Sequence, residues 1–314
     1  MSAGHLRIVF MGTPDFAVPA LKAIHQRGHH IMRVMTQPDR PKGRGRRLSP
    51  PPVKVAAETL GLPVCQPPQV DDADVVAGLR ALAPDALVVV AYGQILPAPV
   101  LKIPRFGAIN IHASLLPKFR GAAPIQWAVI SGEHETGVTT MMMDTGVDTG
   151  DILLSAATPI AENDTAQTLH DRLAEMGGPL ILETLEGLAA GTLTPTPQDP
   201  ERATTAPMLE KSDGIIDWGT PAKDIAARIR GLTPWPGAFT TIGGSRVKVL
   251  AATVTASDEA AAPGTVLRRF DNQLVVAAGR DALSITRVQG ASGKQLAIAD
   301  YLRGNPVPPG TVLA

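Results

Sequence analysis

The segment Asp85–Tyr92 constrains the fold strongly, because its run Ala86-Leu87-Val88-Val89-Val90 contains no polar side chain. A strand with one face in water alternates apolar and polar residues, whereas a strand without alternation must be covered on both faces. Two more such strands are predicted at Leu6–Met11 and His30–Thr36. The sequence therefore predicts a sheet with helices packed on both sides.

Helical patterns lie between these strands, at Phe16–Gln26, Lys54–Leu60 and Ala73–Leu82. Alternation of strand and helix is typical of right-handed βαβ units, so the fold class predicted is α/β, with a doubly wound, Rossmann-like and mostly parallel sheet. We expect further elements to continue this sheet: a short strand at Leu62–Cys65, strands at Ala108–His112, Gly137–Met143 and Ile152–Pro159, and helices at Ala123–Ile130 and Thr165–Ala190.

The composition changes after Gly191, where Thr192–Pro207 carries four prolines among polar residues. Such a segment is stiff and forms neither a helix nor a core. We therefore predict a catalytic domain over residues 1–191, a linker over 192–211 and a smaller domain over 212–314. That last domain is predicted to be an OB-like β-barrel with one helix, because short strands joined by tight turns follow at Ala238–Ile242, Arg246–Val254, Gly264–Arg269, Gln273–Ala277 and Leu283–Val288.

Composition excludes several classes of protein. No apolar run approaches the roughly 20 residues that span a bilayer, which argues against an integral membrane protein. Cys65 is the single cysteine, so a disulfide framework and a cysteine-based metal cluster are both excluded. We expect a cytoplasmic protein, and the start of the chain has no Arg-rich presequence, which favours a bacterial cytoplasm.

The net charge of zero hides a strong asymmetry along the chain. The first 54 residues hold ten basic and two acidic side chains, whereas residues 55–211 hold eight basic and 19 acidic ones. A surface with charge distributed in this way can bind a polyanion. Chance clustering of charged residues on a solvated surface would give the same counts.

Asn110 and His112 are two residues apart on a predicted strand, so their side chains point to the same face of the sheet. They lie near the carboxyl end of that strand, where open α/β sheets bind ligands. An Asn-x-His pair by itself is more typical of a structural histidine than of a catalytic one.

A second polar cluster, Met143–Asp151, lies between two predicted strands and interleaves Asp144, Asp148 and Asp151 with glycines. It is open to an Asx-turn interpretation, as the closing loop of a hairpin. It is also similar to a calcium loop, but the terminal glutamate and the flanking helices of an EF-hand are missing. Neither alternative explains why this loop accompanies Asn110 and His112.

Three motifs together resemble the 10-formyltetrahydrofolate-dependent formyltransferases, most closely those that act on charged initiator tRNA. They are Asn-Ile-His-Ala-Ser-Leu-Leu-Pro-x-x-Arg-Gly from Asn110, Met-Asp-x-Gly-x-Asp-Thr-Gly-Asp from Met143, and Phe-Met-Gly-Thr-Pro-Asp-Phe-Ala from Phe10. The resemblance covers nearly the whole chain. Ala113 departs from it, since glycine or proline is common there.

The resemblance implies that 10-formyltetrahydrofolate is the co-substrate and formyl donor, that Asn110, His112 and Asp148 are catalytic, and that the folate is contacted by Ser114, Leu115, Leu116 and Pro117. Formyl transfer is acyl transfer, in which negative charge gathers on the formyl oxygen. We expect Asn110 to donate a hydrogen bond to that oxygen. His112 would donate to the same oxygen or relay a proton, and Asp148 would orient the imidazole. No protein-bound metal is predicted.

Residues 37–52 are predicted to form a mobile basic loop at the carboxyl end of the second strand. They resemble the inserted loop with which these formyltransferases hold the acceptor stem of tRNA, and Arg44 matches the position regarded as most important there. The predicted tRNA contacts are Arg40, Lys42, Arg44, Arg46, Arg47 and, at the end of the linker, Lys211. The segment Gly12-Thr13-Pro14, which follows the first predicted strand, is expected to allow tight packing of the chain.

The leading hypothesis is transfer of a formyl group to the α-amino group of methionine on initiator tRNA, by a monomer that binds no membrane. One alternative is a formyltransferase acting on an amino-sugar nucleotide, which would have little use for the basic loop. A formyltetrahydrofolate hydrolase or a purine-pathway formyltransferase would not need the second domain. A non-catalytic RNA-binding protein would leave Asn110, His112 and Asp148 unexplained.

Overall fold

The computed structural model describes residues 5–42, 47–268 and 273–314. The chain forms two compact units. The first comprises Met1–Pro124, Glu135–Thr158 and His170–Ala206, and the second comprises Ile125–His134, Pro159–Leu169 and Pro207–Ala314.

A seven-stranded sheet forms the first unit. The strands of this unit are β1 (Arg7–Gly12), β2 (His30–Met35), β3 (Arg40–Lys42), β4 (Arg47–Ser49), β5 (Val64–Cys65), β6 (Ala86–Val90), β7 (Ala108–His112), β8 (Glu135–Met142) and β9 (Ile152–Pro159). β3 and β4 pair only with each other, as a separate hairpin, and the other seven strands form the sheet. The order across the sheet is β5-β2-β1-β6-β7-β8-β9, and every pair from β5 to β7 is parallel. The predicted Rossmann-like, mostly parallel sheet is therefore confirmed.

The sheet does not stay parallel to its end, however. β8 runs antiparallel to β7, with His112 opposite Thr139 and Asn110 opposite Met141. β8 and β9 are neighbours joined only by residues 143–151. Two parallel neighbours need a crossover of a dozen or more residues, so this short loop requires the chain to turn straight back.

The helices are α1 (Val18–Gln26), α2 (Pro52–Thr59), α3 (Ala73–Leu82), α4 (Ala98–Leu101), α5 (Pro124–Ile130), which falls largely in the second unit, and α6 (Ala166–Ala190). All five residues of β6 are buried, as its unbroken apolar sequence requires. Val9, Met11, Leu87 and Val89 pack in one cluster with Val76 and Leu79 of α3. α4 escaped prediction because its four residues are too few to show a helical period.

An antiparallel sheet forms the second unit. Its elements are α7 (Ala222–Gly231), β10 (Phe239–Ile242), β11 (Ser245–Thr255), β12 (Val266–Arg268), β13 (Leu274–Ala277), β14 (Ala282–Gln289), β15 (Gln295–Ala297) and α8 (Ile298–Gly304). The order is β10-β11-β14-β13-β12, and β15 also pairs with β14. The sheet curls into a half-barrel, with register shifts near Val249 and Ala251, in agreement with the smaller barrel-like domain predicted. β15 and α8 were not predicted.

Part of the predicted linker packs on the first unit. Thr196 and Ile152 exchange two backbone hydrogen bonds of 2.8 Å, and Arg120 donates from its amide to the carbonyl oxygen of Thr204 at 2.8 Å. Residues 192–206 belong to the first compact unit, and the last segment of the second unit begins at Pro207. The boundaries 191 and 211 stay a prediction.

Among the described residues, none of the helices combines the length and the apolar character needed to cross a membrane.

Gly137 of β8 offers a test of the packing between β8 and β9. A methyl group there would overlap the carbonyl oxygen of Ala156 and lie 2.6 Å from a methyl of Leu115. Because the backbone oxygen cannot move aside, we expect Gly137→Ala to destabilise the protein by about 2 kcal/mol. Gly78 of α3 is the matched control, since its added methyl would meet nothing closer than 4.0 Å. Gly78→Ala should stabilise the protein by about 0.5–1 kcal/mol.

Thermal and urea unfolding of both variants measure these changes. A Gly137→Ala protein as stable as the parent would contradict the close approach of β9.

Candidate active site

The face of β7 that carries Asn110 and His112 differs from the face that carries Ile109 and Ile111. The two isoleucines are buried, and Ile111 lies against Gly177 of α6. On the other face His112 is 6% exposed and Asn110 is half-buried. The strand period therefore places an amide and an imidazole side by side, as predicted.

The imidazole of His112 is held by two groups. Its Nε2 lies 2.9 Å from the carbonyl oxygen of Phe119, and its Nδ1 lies 3.6 Å from Oδ2 of Asp148. Because a carbonyl oxygen can only accept, Nε2 carries the hydrogen and donates it. Nδ1 is therefore the ring atom that can gain or lose a proton, and it faces the carboxylate.

Asp148 joins three separate segments of the chain. Its Oδ2 accepts a hydrogen bond of 2.8 Å from the amide of Gly121, and its Oδ1 lies 3.5 Å from Nδ2 of Asn110. The side chain is 16% exposed, and its backbone has φ of +52°, in the left-handed region that Asp tolerates better than most residues. The carboxylate thus meets Asn110, His112 and the turn after Phe119 at one point.

The loop that carries Asp148 contains an Asx turn, which was one of the two alternative interpretations of this segment. Oδ1 of Asp144 accepts from the amide of Gly146 at 2.9 Å and from the hydroxyl of Thr149 at 2.7 Å. Gly150 approaches the carbonyl oxygen of Met142 so closely that a Cβ atom would overlap it. Asp144 therefore shapes the loop while Asp148 turns inward. In the described part of the chain, no three His, Cys, Asp or Glu side chains are grouped to hold a metal ion.

Gln198 is a site residue that sequence reasoning missed. Its Nε2 donates to the backbone oxygens of Asp148 at 2.9 Å and of Gly150 at 2.7 Å. Its Oε1 accepts from Nε and Nη2 of Arg120 at 3.0 and 2.8 Å. One glutamine in the predicted linker thus fastens the Asp148 loop to the segment after Phe119. A single Gln in a proline-rich stretch has no period and no motif, so no sequence signal marked it.

The segment Ser114–Pro117 is a fixed turn next to His112. The Ser114 side chain is fully buried, and its Oγ donates to the carbonyl oxygen of Lys118 at 2.6 Å. The hydroxyl of Thr139 donates to the carbonyl oxygen of Ser114 at 2.7 Å and accepts from the amide of Leu116 at 3.2 Å. Leu116 is buried, while Leu115 and Pro117 are half-buried. A direct folate contact at these four residues stays a prediction, and the Ser114 hydroxyl is used inside the turn.

The predicted basic loop is partly a hairpin. β3 and β4 pair antiparallel, with Arg40 opposite Ser49 and Lys42 opposite Arg47. These residues of the predicted basic loop therefore form ladder hydrogen bonds. Arg44 and Arg46 lie outside the described residues. Lys211 is exposed, in a short 3₁₀ turn of the second unit.

The base of this hairpin is anchored by Asp39. Nζ of Lys54 lies 3.0 Å from both carboxylate oxygens, and Nε2 of Gln66 donates to Oδ1 at 2.7 Å and to the backbone oxygen of Gln37 at 2.8 Å. The hydrogen bond from Gln66, and then that from Lys54, hold the pKa of Asp39 below its usual value. These contacts fix the point where the hairpin leaves the sheet.

The comparisons with known proteins agree along the chain. Residues 6–185 match the model of the formyl transferase family, and residues 208–306 match that of the formyl transferase C-terminal domain. A methionyl-tRNA formyltransferase of Pelotomaculum thermopropionicum is 50% identical over 309 residues, which cover 98% of each chain. One of Pelobacter propionicus is 51% identical over 306 residues, covering 98% of this chain and 95% of the relative.

Among solved structures, the sugar 3N-formyl transferase WlaRD superposes with a TM-score of 0.66 at 19% identity, covering 92% of this chain and 99% of that one. At that identity the likeness concerns the fold alone.

The role given to Gln198 can be tested by Gln198→Ala. The variant loses the two hydrogen bonds to the loop, of about 1 kcal/mol each, and the two from Arg120. Amide hydrogen exchange in residues 144–151 should therefore become roughly tenfold faster or more, with a small change in Tm. Glu201→Ala, an exposed neighbour in the same segment, is the control. Hydrogen exchange followed by mass spectrometry measures the effect. Equal protection in both variants would remove Gln198 from the support of the loop.

Proposed function

This chain belongs to the methionyl-tRNA formyltransferases of the formyl transferase family, and from that premise we propose how its residues act. The reaction transfers the formyl group of 10-formyltetrahydrofolate to the α-amino group of methionine on initiator tRNA. An amino-sugar formyltransferase and a non-catalytic RNA-binding protein are not favoured, because methionyl-tRNA formyltransferases about 50% identical to this chain match nearly its whole length. The observation that carries the mechanism is the meeting of Asn110, His112 and Asp148.

Asn110 stabilises the negative charge that develops on the formyl oxygen. An amide nitrogen has two hydrogens, and the 3.5 Å approach of Nδ2 to Asp148 occupies only one of them. The second hydrogen is left to donate to the oxygen as the amine attacks. Removing one such donor typically costs about 10²–10³ in rate.

His112 carries the proton between the two nitrogens of the reaction. Since Nε2 donates to Phe119, Nδ1 takes the proton that the attacking amine releases. Nδ1 then gives that proton to the leaving nitrogen of tetrahydrofolate, so the ring ends as it began. Asp148, 3.6 Å away, stabilises the imidazolium and fixes the ring plane. No covalent bond to the enzyme is required.

Two exposed aliphatic side chains support binding of the folate donor. Ile95, in the segment that follows β6, is 83% exposed, and Val147, in the Asp148 loop, is 64% exposed. Burying such side chains against a flat apolar ring removes both surfaces from water. We assign these two residues and the turn Ser114–Pro117 to the donor.

The basic hairpin is the element that we assign to tRNA. It leaves the carboxyl end of β2, the same sheet edge at which β7 ends, and presents Arg40 and Arg47 to solvent. Lys42, Arg44 and Arg46 belong to the same basic segment. The anchor at Asp39 gives this segment a fixed base, so that its charges meet phosphates near the reacting end of the tRNA. We assign Lys211 to contact with a further phosphate of the tRNA.

We further propose that the enzyme acts as a monomer in a bacterial cytoplasm. The named relatives are bacterial, and charged initiator tRNA is consumed in that compartment.

The proton relay predicts that His112→Ala and Asp148→Asn lower kcat by a factor of about 10² or more. The Kd for tetrahydrofolate should stay within about threefold in both variants, because neither side chain is assigned to the donor. His134→Ala, at an exposed histidine, is the control and should retain parental kcat. Single-turnover formylation and equilibrium binding separate the two effects. Parental turnover by His112→Ala would exclude the imidazole from the mechanism.

The hairpin assignment predicts that combined replacement of Arg40, Arg44, Arg46 and Arg47 by alanine lowers kcat/KM for methionyl-tRNA far more than it weakens tetrahydrofolate binding. The slope of log KM against log salt should also become shallower, by about 0.9 per lost phosphate contact if duplex DNA is a guide. Arg80→Ala, on α3, is the control. An unchanged salt slope would mean that the hairpin is an ordinary solvated surface that does not contact tRNA phosphates.

A further inference from the structure

The backbone of Phe119 has a conformation that is rare for its residue type. Its φ is +62°, in the left-handed region that large side chains seldom adopt. The side chain is 8% exposed, so Phe119 is packed into the protein. Strained backbone persists only where neighbouring contacts offset its cost, and it is concentrated at functional sites. The carbonyl oxygen of Phe119 lies at such a site, 2.9 Å from Nε2 of His112.

A segment distant in sequence holds Phe119 in this conformation. The amide of Phe119 donates to Oγ1 of Thr204 at 2.9 Å, across 85 residues of chain. The amide of Arg120 donates to the backbone oxygen of Thr204 at 2.8 Å, and the carbonyl oxygen of Arg120 accepts from the amide of Ala206 at 2.7 Å. Residues 204–206 therefore lie along Phe119 and Arg120 like a short strand. Of these three hydrogen bonds, only the one from the Phe119 amide depends on a side chain.

The direction of the Phe119 carbonyl matters because two groups compete for the hydrogen of the neutral His112 ring. A hydrogen on Nε2 is donated to Phe119, whereas a hydrogen on Nδ1 would face the carboxylate of Asp148, 3.6 Å away. Hydrogen bonds to an ionised acceptor are the stronger kind, so the neutral carbonyl prevails only if it is held at short range. The proton relay requires this outcome, because Nδ1 must be free to take the proton of the attacking amine.

We propose that Thr204 is a positioning residue for the proton relay. Its hydroxyl holds Phe119 in the left-handed conformation, and that conformation aims the carbonyl oxygen at Nε2 of His112 and so selects the tautomer with a free Nδ1. The inference rests on the proposed function and adds to it a residue of the proline-rich segment after α6, which acts through Phe119.

Loss of the Thr204 hydroxyl would act in two steps. The Phe119 amide loses its acceptor, and the left-handed conformation loses one of the contacts that offset its strain. A return to an ordinary negative φ rotates the peptide planes on both sides of Phe119 and moves its carbonyl oxygen away from His112. The ring hydrogen then passes to Nδ1, where Asp148 accepts it. In that tautomer Nδ1 can no longer take the proton of the amine.

The test reads the tautomer directly in the full-length enzyme without substrate. ¹⁵N NMR of protein labelled on its histidine rings separates ring nitrogens that carry a hydrogen from those that do not, and a His112→Gln sample assigns the signals. The parent should carry the hydrogen on Nε2. Thr204→Val removes the hydroxyl but keeps the shape of the side chain, and it should move the hydrogen to Nδ1. In the same variant kcat should fall about fivefold or more, with the Kd for tetrahydrofolate unchanged.

Two further variants separate the hydroxyl from a general effect on the segment. Thr204→Ser restores the acceptor and should return both the parental tautomer and the parental kcat. Thr205→Val makes the same change at the next residue, which is also exposed, and should leave both measurements as in the parent. Thr204→Ala replaces Thr204→Val if the valine variant does not fold.

The role of Thr204 is overturned if the parent carries the hydrogen on Nδ1, which needs no variant to establish. It is also overturned if removal of the hydroxyl leaves the tautomer unchanged, if Thr204→Ser behaves like Thr204→Val, or if kcat stays parental although the tautomer has shifted. Formylation of methionyl-tRNA by the parent is measured in parallel. Its absence would refute the proposed function, whereas the tautomer of His112 is established independently of that activity.

Discussion

Burial of β6 on both faces of the sheet is the constraint on which the rest of the first unit depends. A strand covered on both sides can present functional groups only where it ends. The polar side chains of the candidate site therefore lie at the carboxyl edge of the sheet, on β7, which neighbours β6. On β7, polar side chains occupy one face while isoleucines occupy the other. Asn110 and His112 therefore lie between a rigid apolar core and the loops that close over it.

Those loops are positioned by polar contacts rather than by packing. Asp148 takes hydrogen bonds from the Gly121 amide and approaches both Asn110 and His112, while Gln198 holds the backbone of the same loop. A largely buried carboxylate without such partners would be costly, so the four contacts are mutually dependent. The arrangement fixes the imidazole tautomer and leaves one amide hydrogen of Asn110 free of Asp148, as the proposed mechanism requires. Pre-organisation of this kind is what makes electrostatic stabilisation effective in acyl transfer.

The basic hairpin has a fixed base, and its sequence carries five basic residues between Arg40 and Arg47. Asp39 ties its base to Lys54 and Gln66, and prolines stiffen both of its flanks. Long-range attraction of tRNA needs only the charge, but delivery of one amine to one imidazole needs a defined distance. In the role proposed for the hairpin, the fixed base at Asp39 meets the second requirement, because it limits where a bound phosphate can lie.

Local sequence determined the elements and the chemistry of this protein. The apolar runs of β1, β2 and β6, the helical period of Ala73–Leu82 and the Asn110-x-His112 spacing each depend on neighbours a few residues apart. They predicted the parallel sheet and the position of Asn110 and His112 on one face of β7. The Met143–Asp151 cluster was assigned to the site by its resemblance to a family motif, which also singled out Asp148.

Tertiary structure decided what depends on distant partners. The direction of β8 follows from the shortness of its connection to β9, and the pairing of β3 with β4 follows from an anchor formed by residues 15 and 27 positions away from Asp39. The hydrogen bond from Gln198 to the backbone of Asp148 spans 50 residues. Sequence periodicity reports only the faces of single elements, whereas these features arise because folding brings separate elements together.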